Sequence, residues 1–131
     1  MSEILVNKLT GTSTAGSILV TGEGNSTTTN LQQGLLKHWS HFDQETTPNA
    51  NQDSFNSSSV ADNATGDYSQ NFANNMSSAN FVASAISKQV ITDLLGSSSL
   101  TTSSIRINIR NSSFADTDAD DNLLMVAGDL A

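Results

Sequence analysis

Apolar residues along this chain come in short clusters whose spacing changes from segment to segment. Over residues 1–30 the clusters Ile4 to Val6, Leu9 and Ile18 to Val20 alternate with Gly, Ser and Thr runs at Gly11 to Ser17 and Gly22 to Asn30. This pattern predicts two short strands with loops. Two strands in isolation are marginal in water, so the segment reads as an extended arm that must pair with something else. From Asn30 to Phe42 the apolar positions are Leu31, Leu35, Leu36, Trp39 and Phe42, which is helical spacing, with Asn30 suited to the N-cap. Gly34 weakens such a helix. The second half also fits a strand, with Leu36, His38, Ser40 and Phe42 on one face and Lys37, Trp39 and His41 on the other. The expectation is a short helix over residues 30–37 running into a strand near 38–42. One or two helical turns are unstable alone. Leu31, Leu35 and Trp39, with Ile4 and Val6 of the arm, are therefore expected to be contacts between copies or to an attachment partner.

Beyond a polar loop from Gln44 to Gln52, the period shortens to two. Phe55 to Val60 is followed by Asp62-Asn63-Ala64-Thr65-Gly66, a turn signal, and then by Asp67 to Phe72 with Tyr68, Gln70 and Phe72 on one face, which predicts a hairpin. A second turn at Asn74 to Ser78 leads into a strand at Phe81 to Val90. After a Gly and Ser loop, Ile105, Ile107 and Ile109 alternate with Arg106, Asn108 and Arg110, one side core and one side wet. The last strand, Asn122 to Gly128, carries the continuous run Leu123 to Val126, which predicts burial on both faces. Strands at this spacing without long helices predict an all-β chain, an antiparallel β-sandwich over residues 43–131 with an extended arm and one short helix over residues 1–42.

Composition sharpens this reading. Ser, Thr and Asn number 21, 14 and 14 among 131 residues, and such side chains favour turns, caps and strands over helix interiors. Leu, Ile, Val and Phe total only 30, a lean supply for a core, so the chain is expected to be completed by its own copies, as a homotrimer. The net charge is -8, and the five cations, Lys8, Lys37, Lys88, Arg106 and Arg110, are scattered except for the last pair. Phosphate backbones are held by clustered Lys and Arg, so no nucleic-acid partner is expected. With no cysteine there is no disulfide framework and no thiolate nucleophile. The start, Met-Ser-Glu-Ile-Leu-Val, lacks a basic n-region and its apolar run is three residues long, so neither a signal peptide nor membrane insertion is expected.

Candidate chemistry is sparse. His38, Ser40, His41 and Asp43 supply the residue types of a hydrolase, but on a strand His41 points away from the Ser40 face and no strained turn exposes Ser40. The segment Gly11 to Ser17 has Ser17 where a phosphate loop requires Lys. Asp116, Asp118 and Asp120 alternate as calcium ligands do at loop positions 1, 3 and 5, which makes them the metal candidate. Position 6 is Asp121 instead of Gly, and position 12 is Ala127 instead of Glu. Sequons at Asn25, Asn56, Asn63, Asn75 and Asn111 follow from the composition. Glycoside cleavage needs two carboxylates about 5 to 10 Å apart in a cleft, whereas the acids here cluster at turns. No catalytic residue is expected.

Several segments carry a family resemblance. They are Thr29 to Trp39 and on to Phe42, Asp53 to Val60, Asp62 to Tyr68 with Asn71-Phe72, Asn75-Met76, Ala79 to Phe81, and the ends Met1 to Lys8 and Val126 to Ala131. Together they resemble the tail-fibre-like virion domains of tailed bacteriophages, notably marine ones. The pattern Asp-Asn-x-x-Gly-Asp-Tyr followed by Asn-Phe and Asn-x-Met carries most of that resemblance, which spans most of the chain. The Gln44 to Gln52 loop departs from it, as does Ala64 where Gly is common. The resemblance implies a β-rich virion component, attached to other virion proteins through its N-terminal arm and contacting the host surface, a glycan included. Capsid decoration without receptor binding is the alternative. No catalytic residues come with the resemblance.

Overall fold

The computed structural model describes residues 4–11, 18–21, 27–31, 33–46, 49–88, 91–94 and 99–130. The chain divides into two compact units, Met1–Leu35 and Leu36–Ala131.

The first unit holds a small antiparallel hairpin of β1 (Leu19–Thr21) and β2 (Thr28–Asn30), with Leu19 opposite Asn30. The Leu31 amide extends the ladder to the Ile18 carbonyl at 2.8 Å. The chain then turns, with the Gly34 amide donating to the Asn30 carbonyl and the Gln33 amide to Asn30 Oδ1. The helix expected over residues 30–37 is therefore absent, and Asn30 caps a turn in its place. Ile4 to Val6 forms no strand either; the second strand of the arm is Thr28–Asn30, a polar segment. Leu19, Val20 and Leu35 are all exposed.

The second unit is a sandwich of two four-stranded sheets. One has the order β4-β3-β10-β7, from Ala50–Phe55, Leu36–Asp43, Asn122–Ala127 and Val82–Ser87. The other has the order β5-β6-β9-β8, from Ser57–Ala64, Asp67–Phe72, Ser104–Arg110 and Ile91–Leu94. Every pairing is antiparallel, and among the described residues there is no helix. The all-β sandwich is thus as the sequence predicts. The expected break at residue 42 needs correction: it falls inside β3, whose ladders to β4 and β10 place residues 36–42 in the sandwich.

Alternation builds the core. Phe42 from β3, Leu124 and Val126 from β10, Tyr68 and Phe72 from β6, and Ile105, Ile107 and Ile109 from β9 are all buried between the sheets. Edge-on ring contacts, Phe42 to Tyr68 at 6.2 Å and Phe72 to Phe81 at 5.8 Å, tie strands and loops together in the geometry that aromatic quadrupoles favour. The β5–β6 hairpin turns at Thr65-Gly66. Gly66 has φ of +70°, and a Cβ there would lie 2.5 Å from the Ile109 carbonyl, so only glycine fits.

Between β4 and β5 the chain passes from one sheet to the other through one residue, Asn56. Its φ is +57°, a left-handed conformation that Asn tolerates better than most residues. Its side chain donates to the Lys37 and Asn74 carbonyls at 2.8 and 3.1 Å and accepts from the Asn74 amide at 2.6 Å. That set of bonds fixes the corner.

Candidate functional site

Strand β10 shows most directly what the fold leaves open. The run Leu123 to Val126 is expected to be buried on both faces, but only Leu124 and Val126 are. Leu123 and Met125 stay 46% and 45% exposed on the outer face of their sheet. Cross-strand register surrounds them with more apolar side chains. Trp39 lies between Phe55 and Met125, Leu123 lies between His41 and Ile86, and Ala127 lies between Leu36 and Val82. A register shift at Val126/Ala127 passes over Lys37, which brings Leu36 onto the same face as Trp39. The result is an apolar groove of about 320 Å³ lined by Leu36, Trp39, His41, Ser84, Ile86, Leu123 and Met125. Val82 and Phe55 stand beyond it, 73% and 50% exposed.

Polar groups gather at one end of this face. His41 Nε2 is 3.1 Å from Asp121 Oδ1, Lys88 Nζ is 2.7 Å from Asp120 Oδ2, and Asp53 lies opposite His41 in the ladder. Lys88 stabilises the ionised form of Asp120 by hydrogen bonding and holds its carboxyl below the usual range. The groove itself carries no formal charge apart from what His41 supplies.

The hydrolase candidates do not converge. His38 and Ser40 share the inner face and are within reach, Nε2 to Oγ at 3.3 Å, yet they are 0% and 2% exposed. His41 faces outward, as strand alternation predicts. Asp43 uses its carboxylate to accept from the Glu45 and Thr46 amides at 2.8 and 2.9 Å, closing the turn after β3. Burial pushes the His38 imidazole below its ordinary pKa, with its bond to the Asn56 carbonyl opposing. The pair is buried and hydrogen-bonded within the core.

The acidic run is also dispersed. Asp116 binds Arg110 Nε at 3.1 Å, Asp120 binds Lys88, and Asp118 accepts from the Tyr68 hydroxyl and from the Gly66 amide at 2.8 Å. Burial, with Asp118 beside it, pushes the Tyr68 phenol well above its usual range. Asp116, Asp118 and Asp120 thus act as separate struts around the β5–β6 hairpin and the approach to β10. Among the described residues no three acidic or histidine side chains form a group able to hold a metal ion.

The expected contact residues fall in different places. Ile4 and Val6 are 85% and 59% exposed in the arm, Leu35 is 53% exposed beyond β2, and Leu31 is half-buried in the turn. Trp39 belongs to the sandwich face. Of the sequons, Asn56 and Asn111 are turn formers, with Asn111 Oδ1 accepting from the Ser113 and Ala115 amides. Asn25 and most of Gly11 to Ser17 lie outside the described residues. The signals that sequence reading missed are Ile86, Val82 and Phe55, whose membership of one face appears only when β4, β3, β10 and β7 are set side by side.

Comparison with known proteins finds no family model, no curated protein and no solved structure that matches this chain. Among the described residues no helix is long and apolar enough to cross a membrane.

Proposed function

We propose that this chain is a virion structural protein of a tailed bacteriophage, a tail-fibre-like appendage that attaches through its N-terminal arm and contacts the host surface. The observation that supports the reading best is the contrast between the two units. The sandwich has a core of its own, whereas the described part of the arm presents Ile4 and Leu5 at 85% and 83% exposure and a hairpin whose Leu19 and Val20 are exposed. An apolar segment of that kind is stabilised by a partner surface. Its partners in this reading are other virion proteins, with a host glycan as the ligand at the surface. The reading needs no catalytic step and no bound ion. In this reading the chain is completed by its own copies, as the homotrimer expected from its lean supply of large apolar residues.

The alternative, a capsid decoration protein that reads no receptor, is favoured by one feature. The outer face of the β4-β3-β10-β7 sheet is apolar, which suits packing against protein more than hydrogen bonding to sugar.

Incorporation into particles tests the proposal. Ile4→Asp with Val6→Asp should leave the sandwich folded by circular dichroism but remove the protein from purified particles. Unchanged incorporation of that variant would refute attachment through the arm.

A further inference from the structure

We propose that the outer face of the β4-β3-β10-β7 sheet is an interface with a second copy of this chain. The inference concerns the sandwich alone and stands whether or not the arm attaches to a particle. Its core is formed by Leu36, Trp39, Phe55, Ile86, Leu123 and Met125, on four adjacent strands.

Area is the first argument. Leu36, Phe55, Val82, Ile86, Leu123 and Met125 are 45% to 73% exposed and Trp39 is half-buried among them, so this face leaves on the order of several hundred Å² of apolar surface bare, toward the upper end of what a soluble monomer shows in one patch. A stable association buries roughly 800 Å² per partner, so the patch and its polar rim together match what one copy must contribute. The second argument is charge. A chain carrying -8 repels its copies, yet the groove holds no carboxylate; the excess negative charge lies elsewhere. At the rim, Lys88 sits beside Asp120 and Asp121, and Asp53 lies opposite His41, so both signs are present on one patch. An interface related by a two-fold axis meets itself and must be self-complementary. A rim of both signs around an uncharged centre meets that condition, whereas a basic or acidic partner would be matched by a rim of one sign. Third, β10 is a central strand whose run Leu123 to Val126 is apolar on both faces, the pattern of a strand covered on both sides. Among the described residues of the sandwich only the inner face is covered.

Trp39 is the one tryptophan, so its fluorescence reports directly on this face. The test is a dilution series of the full chain from about 1 to 100 µM, followed by sedimentation equilibrium and by Trp39 emission. The expected result is a mass rising from 13.8 kDa toward twice that value, with Trp39 emission moving to shorter wavelength at the same midpoint. Leu123→Glu with Met125→Glu places like charges at the centre and should weaken association roughly a hundredfold or more; both positions are half exposed, so the monomer tolerates the change. Ile4→Asp with Val6→Asp should leave association intact. The proposal is overturned by a constant 13.8 kDa mass with constant emission, by association that survives the double glutamate variant, or by loss of association in the arm variant alone, which would make the arm the occupant. Should the glutamate variant fail to fold by circular dichroism, the wild-type series still decides. A rising mass with unchanged Trp39 emission would put the contact elsewhere and overturn the proposal.

Discussion

Acidification below neutral pH should destabilise the sandwich through His38. The imidazole is wholly buried at the centre of β3, with its ring 5.2 Å from Phe72, Nδ1 3.3 Å from the Asn56 carbonyl and Nε2 3.3 Å from Ser40 Oγ. A carbonyl can only accept, so Nδ1 carries the proton and Nε2 accepts from the Ser40 hydroxyl; both bonds are made by the neutral ring. Burial lowers the folded pKa below the ordinary 6.5, while the unfolded chain still titrates at that value. Below pH 6.5 the unfolded state therefore binds more protons than the folded state, and stability falls as pH falls, until the folded pKa is reached. The slope approaches about 1.4 kcal/mol per pH unit, which amounts to at most about 2 kcal/mol lost between pH 7 and pH 5. Against a total of roughly 5–15 kcal/mol for a domain, that is a measurable fraction. Asp67, whose carboxyl is held down mainly by its hydrogen bond from Arg106, contributes stability that is present above its ordinary 3.8 and lost below it, in a lower window. Urea midpoints at pH 7, 6 and 5 for the wild type and His38→Gln separate the two. Gln can donate and accept but does not titrate, so the variant should lose most of the slope between pH 7 and 5. An identical slope in both proteins would refute the reasoning.

Two further substitutions follow from backbone geometry. Gly66→Ala forces a Cβ to within 2.5 Å of the Ile109 carbonyl and 2.7 Å of the Thr117 amide at φ +70°. It should cost about 2–4 kcal/mol in a denaturation midpoint, well beyond an ordinary Gly→Ala change. Asn56→Ala removes the side chain that bonds Lys37 and Asn74 across the corner and strains a residue at φ +57°, with an expected loss of about 2–4 kcal/mol. Asn56→Gly keeps the backbone at ease and should be less costly than Asn56→Ala by about 1 kcal/mol in the same measurement; equal losses would show that the conformation carries no strain.

The inner faces of the sandwich are legible because side-chain alternation is enforced by the pleat. Ile105, Ile107 and Ile109 read as core and are core, and Tyr68, Gln70 and Phe72 read as one face and are buried together. The helix misreading has a specific cause. Leu36 and Trp39 are three residues apart and share a face, which is helical spacing, but they do so because the register shift passes over Lys37. A bulge imitates a helical turn in sequence. Strand β4 was illegible for another reason: Ala-Asn-Gln-Asp-Ser-Phe is an edge strand held by its ladder to β3, with no apolar period to read. The outer apolar face was visible in fragments only. The run Leu123 to Val126 signals two-sided burial, yet nothing in one dimension tells that its outer half meets Trp39 and Ile86, because those contacts join residues about 85 and 40 positions apart. The partners of Asp116, Asp118 and Asp120 were hidden in the same way. Alternation along the chain does not reveal that Arg110, Tyr68 and Lys88 each take one of these carboxylates.

Where the chain sits on an intact particle tests the proposed function most directly. Electron microscopy of particles carrying a labelled copy should place the label on tail appendages and lose it from particles made with the Ile4→Asp, Val6→Asp variant. Label distributed over the capsid would favour the decoration reading, and purified particles without the protein would contradict a virion role altogether.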